Sequence, residues 1–141
     1  PNGSYVDFGV VFKPEAVEGL ELGVAFGETE ETAGTTVDEQ AIYAKYTMGS
    51  ITAGMNVNET DTVDFTSFGL SFAVTDDISV AYNTSESELS GSANDQEASG
   101  VSASFTTGGM TIAGMVNTVD NASHESGNDT EGYEINFSFA F

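Results

Sequence analysis

The chain has 141 residues, with 23 Asp and Glu against 2 Lys and no Arg, and a formal net charge of −21. This balance excludes a nucleic-acid partner, because phosphate binding requires clustered Lys and Arg. There is no Cys, so a disulfide framework and a thiolate metal site are both excluded. No apolar run is long enough for a transmembrane helix. We treat residues 1–141 as a single domain-sized segment.

The apolar residues recur with a period of two along the chain, which is the period of β-strands. We predict about nine strands, and no segment has the pattern of an amphipathic helix. In chain order, the alternating runs cover residues 6–12, 20–26, 42–48, 51–57, 68–74, 78–82, 101–105, 110–116 and 133–141. The predicted fold class is therefore all-β, built as a meander of antiparallel hairpins.

The segments between these runs alternate in length. Short segments cover residues 13–19, 49–50, 75–77 and 107–109, and long polar segments cover residues 27–39, 58–64, 85–98 and 119–132. In an antiparallel meander, this alternation places the short turns at one end of the sheet and the long loops at the other. Outer-membrane β-barrels have this asymmetry.

The two faces of the predicted strands differ in chemistry. One face carries large apolar side chains and no charge, whereas the other carries mostly Gly, Ala, Ser, Thr and Asn, which are too small to fill a core. Asp7, Glu21 and Glu134 are the acids within the runs, and they lie on the small-residue face with Lys45 and Lys13. We expect about 16 of the 23 acids in the long loops. A face without charge is what lipid requires, because a Lys or Arg near mid-bilayer costs about 2–4 kcal/mol.

Two interpretations of this pattern remain open. A soluble β-sandwich also alternates and also excludes charge from its inner face, but the undersized second face and the loop asymmetry favour a transmembrane β-barrel. Aromatic residues near the ends of the runs would form the interfacial girdles of a barrel or would plug the ends of a sandwich core. These aromatic residues are Phe12, Phe26, Tyr46, Phe65, Tyr82, Phe105, Tyr133, Phe139 and Phe141.

Three segments carry a resemblance to a known family. The terminal EINFSFAF (134–141) and the hairpins 41–59 and 99–117 resemble general diffusion porins of Gram-negative outer membranes, most closely the alphaproteobacterial type. Both hairpins contain a (Y/F)T dipeptide, a turn of small residues and an AGM tripeptide. The resemblance spans essentially the whole chain and rests on this pattern and on the C-terminal Phe.

The resemblance implies a water-filled channel in the cell outer membrane, through which small hydrophilic solutes and cations diffuse. It implies contact with outer-membrane lipid and lipopolysaccharide, and assembly as a homotrimer. It also implies that the last strand is recognised by the barrel-assembly machinery. The residues that match that signal are Tyr133, Phe137, Phe139 and Phe141.

The number of strands departs from a complete barrel. Porins of this type have about 16 strands, and a closed single-chain bacterial barrel has an even number. We therefore expect the chain to be the C-terminal half of a roughly 16-stranded barrel, completed by upstream strands or by a partner. The alternative is a closed barrel of about eight strands, but side chains fill the interior of such a small barrel, and the Gly, Ala and Ser face does not provide them.

The small-residue face predicts the mechanism. Small polar walls leave an aqueous channel, and acidic loops at its mouth concentrate cations over a screening length of about 10 Å at 0.1 M salt. We expect a cation preference. The competing function is that of a secreted acidic β-sandwich used in adhesion or surface-layer assembly. The predicted lumen-facing residues are Asp7, Glu21, Tyr43, Lys45, Asn56, Asn83, Glu134 and Asn136.

No arrangement of residues in the sequence predicts catalysis, and we expect no enzyme activity. His124 is the sole His and is interpreted as a solvated loop residue, so the ligands of a zinc site are lacking. We expect no required cofactor. Calcium is the one ion that the outer loops could bind, through hard oxygen ligands. The candidate calcium ligands are Asp120, Asn121, Glu125, Asn128 and Asp129.

Overall fold

The structure, a computed structural model, describes residues 4–30 and 35–140. They form nine strands in one sheet, which confirms the all-β antiparallel meander predicted from the sequence. The strands are β1 (Tyr5–Phe12), β2 (Leu20–Glu30), β3 (Thr36–Met48), β4 (Ile51–Thr60), β5 (Val63–Ala73), β6 (Ile78–Leu89), β7 (Gln96–Thr107), β8 (Met110–Asp120) and β9 (Thr130–Phe139). Each strand pairs with the next one in sequence.

Tight turns set the register of this meander. The turn between β7 and β8 consists of Gly108 and Gly109, whose φ angles are 54° and 79°. Two consecutive residues with positive φ are the requirement of a type I′ hairpin turn, whose twist matches that of the strands it joins. The turn therefore brings Thr107 directly opposite Met110, and the remaining pairs of the hairpin follow from that match.

The sheet is a single layer that does not close on itself. Strands β1 and β9 are its two edges, so the predicted barrel is observed only as an open meander. An odd number of antiparallel strands leaves the first and the last pointing the same way, and closing nine strands directly would require a parallel pair. No large hydrophobic side chain is buried among residues 4–30 and 35–140. The part of the chain that the structure describes also contains no helix long and apolar enough to span a membrane.

The strands are longer than the sequence pattern predicts, and much of the predicted loop sequence is strand. β6 continues to Leu89, for example, and β3 already begins at Thr36. Fourteen Asp and Glu lie within strands, so the expectation that only Asp7, Glu21 and Glu134 do so is wrong. The reason is that a strand is held by backbone hydrogen bonds, which acidic side chains do not interrupt when they point to solvent.

We name the two ends of the sheet by their connections. The turn end carries the connections 13–19, 49–50, 74–77 and 108–109, and the loop end carries the connections 61–62, 90–95 and 121–129 together with the end of β2 and the start of β3. The predicted segregation by length is confirmed only in part, because the seven-residue connection 13–19 lies at the turn end and the two-residue connection 61–62 lies at the loop end. The difference in connection length is smaller than predicted, because the strands extend into the predicted loops at the loop end.

Candidate functional site

One face of the sheet, here called the polar face, carries all eight residues predicted to face a lumen. The observed pairs place these eight side chains on the same side of the sheet: Asp7, Glu21, Tyr43, Lys45, Asn56, Asn83, Glu134 and Asn136. The same face also carries larger residues that the sequence pattern did not indicate. Phe65, which was predicted to belong to an aromatic girdle on the opposite face, pairs with Asn58 and Ser87 and lies on the polar face. That part of the girdle prediction is wrong.

A row of cross-strand neighbours runs across the polar face from β2 to β9. In order, the row consists of Glu21, Lys45, Gly54, Gly69, Asn83, Gly100, Asn117 and Gly132. The two Asn side chains lie beside their glycine neighbours, since a Cβ added at Gly132 would be 3.1 Å from Oδ1 of Asn117. From β4 to β9, this row consists of Gly and Asn residues. It therefore exposes amide groups, leaves open space beside the glycines and carries no charge.

Both lysines of the chain bind one carboxylate on the polar face. Nζ of Lys13 lies 2.8 Å from Oε2 of Glu21, and Nζ of Lys45 lies 3.3 Å from Oε1 of the same residue. The hydroxyl of Tyr43 also donates a hydrogen bond to Oε1 of Glu21, over 2.9 Å. We call these four residues the lysine cluster. Glu21 is its least exposed charged side chain, at 17%, against 70% for Lys13 and 47% for Lys45.

The lysine cluster lies at the turn end. Lys13 belongs to the connection between β1 and β2, and this connection is attached to β3 by a hydrogen bond from the Thr47 amide to the Gly19 carbonyl, 2.9 Å long. The hydrogen bond and the charge of Glu21 raise the pKa of Lys13 above the ordinary lysine value, so its ammonium group is charged at physiological pH. The sequence predicts that Glu21 and the lysines share a face, but only the register shows that they meet.

The opposite face carries a continuous apolar band. On each strand the band begins at the turn end and consists of three or four residues at alternate positions, as in Leu20, Leu22, Val24 and Phe26 on β2 and Phe139, Phe137, Ile135 and Tyr133 on β9. Four alternate positions span about 20 Å along a strand, close to the band of about 25 Å found on transmembrane barrels. The band carries no charged side chain among the described residues. Most of its large side chains are exposed, up to 85% for Tyr133, and a few, such as Leu20, are half-buried.

Beyond the apolar band, towards the loop end, the same face becomes acidic. We call these carboxylates the acidic rim: Glu28, Glu30, Asp38, Glu59, Asp64, Glu86, Glu88, Glu97, Asp120 and Glu131. Threonine and serine separate the band from the rim on several strands, for example Thr84 between Tyr82 and Glu86 on β6. One face therefore passes from apolar to strongly anionic within a few residues of each strand.

Four of the five candidate calcium ligands lie in the connection 121–129, and the fifth, Asp120, is the last residue of β8. The connection 121–129 contains a 3-10 turn, Ala122–His124, and several of its polar groups bind the loop itself. Oδ1 of Asn121 accepts a hydrogen bond from the Gly127 amide, and Oδ1 of Asp129 accepts one from the Asn121 amide. Within the described ranges, no group of three or more His, Asp or Glu side chains could hold a metal ion. Calcium binding at Asp120, Asn121, Glu125, Asn128 and Asp129 stays a prediction.

His124 and the terminal aromatic residues occupy separate places. Nδ1 of His124 lies 3.2 Å from the backbone oxygen of Asn94 in the neighbouring connection.

Tyr133, Phe137 and Phe139 lie on the apolar face of the edge strand β9, as predicted for the assembly signal. Phe141, the last residue of that predicted signal, lies outside the described residues.

No protein-family model matches the chain, and a comparison with curated proteins found no match. The resemblance to general diffusion porins therefore rests on the sequence segments quoted above.

Proposed function

We propose that the chain forms part of the wall of a water-filled β-barrel channel in the outer membrane of a Gram-negative bacterium. Small hydrophilic solutes, and cations in preference to anions, diffuse through this channel. The observation that carries the proposal is the contrast between the two faces of one sheet. One face exposes an apolar band without charge, and the other presents small polar residues and the lysine cluster.

The apolar band requires a covering of matching size. Soluble monomers rarely expose an apolar patch larger than a few hundred Å², whereas this band runs across all nine strands. Lipid acyl chains would cover it without a second protein layer, and the absence of charge from the band avoids the cost of about 2–4 kcal/mol for a cationic side chain at mid-bilayer. Outer-membrane lipid, with lipopolysaccharide in the outer leaflet, is the covering that we propose.

The polar face supports an aqueous lumen. Glycine, serine and asparagine predominate along its central rows, and such residues leave space for water when the barrel is wide. Asp7 and Glu39 lie on this face near the loop end, and Glu134 lies on β9. With a net charge of −21, the wall attracts cations and repels anions.

The two sheet edges require partners in a membrane. Each unpaired backbone group in lipid costs several kcal/mol, so spanning sheets are closed. Because β1 and β9 point the same way, an entirely antiparallel closure needs an odd number of additional strands. A total of about 16 strands meets this condition. We propose that these strands come from the same polypeptide or from a partner, and that the complete barrels associate as homotrimers.

The acidic rim and the turns suggest an orientation. In outer-membrane barrels, short turns face the periplasm and longer loops face outward, so we propose that the loop end with its acidic rim faces the exterior. The last strand then ends on the periplasmic side. There Phe139, the last residue of β9, would be accessible to the barrel-assembly machinery, and Phe137 and Tyr133 follow it along the apolar face of the same strand.

The alternative function, a secreted acidic β-sandwich for adhesion, would require a second sheet against the apolar band. Residues 4–30 and 35–140 form one sheet only, so that layer would have to come from outside the described residues. We therefore favour the channel.

Two consecutive residues of β5 allow a direct test, because the chain contains no Trp. Leu70 lies in the apolar band and Ser71 lies on the polar face. In reconstituted protein, the fluorescence of the Leu70→Trp variant should be quenched by lipids with brominated acyl chains, and that of the Ser71→Trp variant by aqueous acrylamide. Quenching of both variants by acrylamide alone would refute the membrane orientation. Planar-bilayer recordings in a KCl gradient then test the channel, and an anion-selective reversal potential would contradict the charge argument.

A further inference from the structure

Tyr43 and Gly23 form a close cross-strand pair on the polar face. A Cβ added at Gly23 would lie 2.0 Å from Cε1 of Tyr43, which no real contact permits. Gly23 is buried although both faces of the sheet are open. The phenol ring therefore lies flat across β2 in the space that the missing side chain leaves.

This position of the ring determines where its hydroxyl group lies. Glu21 is two residues from Gly23 on the same face of β2, and the Tyr43 hydroxyl reaches its Oε1 at 2.9 Å. The carboxylate thereby receives hydrogen bonds from Tyr43, Lys13 and Lys45 at once. A ring that pointed away from the sheet could not donate this hydrogen bond, so the glycine is required for the arrangement.

The lysine cluster contains every Lys and Arg of the chain. While Glu21 holds both ammonium groups near the wall, the cluster carries one net positive charge. Released from Glu21, two flexible ammonium groups would extend into the aqueous space, where each would repel cations and attract anions. The way in which Glu21 is held therefore affects which ions pass.

We infer that Gly23 and Tyr43 are positioning residues that fix Glu21 against the wall, so that it binds both lysines and maintains the cation preference of the channel. The inference rests on the proposed channel function and adds the residues that determine its ion selectivity.

The test compares reversal potentials in a KCl gradient for the protein purified in detergent and reconstituted into planar bilayers. Tyr43→Phe keeps the ring and the charge but removes the hydrogen bond, and we expect its reversal potential to shift towards zero. Gly23→Ala keeps the hydroxyl but displaces the ring, and the same shift is expected. Glu21→Gln should shift the potential further, because it releases both lysines and removes a charge.

Three controls separate positioning from charge, from effects that do not involve the lysines, and from folding. Glu134→Gln removes an equal charge from the same face at a position that contacts Asn136 and neither lysine, so it should shift the potential less than Glu21→Gln. In a Lys13→Gln/Lys45→Gln background, Tyr43→Phe should have no further effect. Each variant must retain the heat-modifiable gel migration of the parent protein, and only variants that do so enter the comparison.

The possible failures are distinguishable. If the parent protein, together with the strands that complete its barrel, forms no channel, the proposed function is wrong and the inference falls with it. If the parent is cation-selective and both Tyr43→Phe and Gly23→Ala retain its reversal potential, the positioning role is refuted while the channel stands. An effect of Tyr43→Phe that persists without the lysines would also refute it.

Discussion

The side-chain amide of Asn121 donates a hydrogen bond to the backbone oxygen of Asp95 over 3.1 Å, and this contact joins the last two connections of the loop end. A second contact, from the Ser123 amide to Oε1 of Gln96 at 2.8 Å, reinforces it. Asn121, Ser123 and His124 all have positive φ, a conformation that costs residues other than glycine free energy. The contacts with the neighbouring connection offset that strain, so the connections 90–95 and 121–129 form one structural unit.

Replacing Asn121 should loosen this unit. Asn121→Ala removes the hydrogen bonds to Asp95 and Gly127, and Ala tolerates the φ of 52° at this position less well than Asn does. Each lost hydrogen bond costs about 0.5–1.5 kcal/mol, and the left-handed conformation costs Ala about 1–2 kcal/mol. We expect faster hydrogen exchange and proteolysis in residues 121–129. Asn121→Gly removes the same hydrogen bonds but adopts a positive φ without steric cost, so it should show a smaller effect; equal effects would contradict the strain argument.

Calcium binding by the same connection is testable by thermal unfolding. If Asp120, Glu125 and Asp129 provide ligands as the sequence predicts, millimolar calcium should raise Tm, because a ligand that binds only the folded state stabilises it. EGTA should reverse the increase, and Asp129→Asn should reduce it. A Tm that does not respond to calcium would refute the prediction, and an equal response to magnesium would indicate general screening of the acidic rim.

A lysine should be tolerated on one face of β5 and not on the other. Leu70→Lys places a charge in the apolar band, and we expect it to lower the free energy of unfolding in lipid by about 2–4 kcal/mol. Ser71→Lys places the same side chain on the polar face, where surface substitutions usually change stability by less than about 0.5 kcal/mol. Urea titration of the protein folded in lipid vesicles measures both values. Equal destabilisation would indicate that the polar face is not in contact with water.

Stability should depend on pH through Glu88, which lies in the acidic rim beyond the apolar band. The negative charge of Asp95, followed by a hydrogen bond with Glu86, raises the pKa of Glu88 above its ordinary value of 4.5. Because the folded state binds this proton more tightly than the unfolded state, stability falls as the pH rises through the raised pKa. We expect Tm to increase as the pH falls from 7 towards 5. Glu88→Gln should raise Tm at pH 7 and flatten this dependence, and high salt should reduce the difference.

Two glycines with positive φ should differ in their tolerance of Ala. Gly19 has a φ of 85°, and an added Cβ would lie 2.0 Å from the backbone oxygen of Thr47. Gly49 has a φ of 58°, and nothing lies within 4 Å of its added Cβ. We expect Gly49→Ala to cost about 1 kcal/mol, the usual cost of the left-handed conformation, and Gly19→Ala to cost considerably more because the connection 13–19 must separate from β3. Chemical denaturation measures both, and similar values would contradict the observed close approach.

The faces of the sheet could be predicted from the sequence, whereas the ends of the strands could not. Gly23 and Val24 are successive residues of β2, so their positions point to opposite faces of the sheet. A period of two in the sequence therefore assigns each residue to a face without knowledge of the partner strand. Beyond Phe26 the apolar signal ends, but the backbone pairing continues to Glu30. Acidic residues in this stretch resemble loop sequence, and only the partner strand shows that they are paired.

The lysine cluster illustrates a second limit. Glu21 and Lys45 are 24 positions apart in sequence, and their contact depends on the register of β2 with β3. The face of Phe65 was predicted wrongly because the large side chains of β5 change face along the strand, from Val63 and Phe65 on the polar face to Phe68 and Leu70 on the apolar face. Periodicity assigns a side chain to a face, and pairing determines which side chains meet.

The acidic rim also has a consequence for protons. A proton is a cation, and it accumulates wherever the local potential is negative. Each kT of negative potential raises the local proton concentration by about 2.7-fold, which lowers the local pH by about 0.4 units, and protein surfaces reach potentials of several kT. The medium at the loop end would therefore be more acidic than the bulk solution. A weakly basic solute that arrives there would gain a proton, and thus a positive charge, before it reached the wall of the sheet.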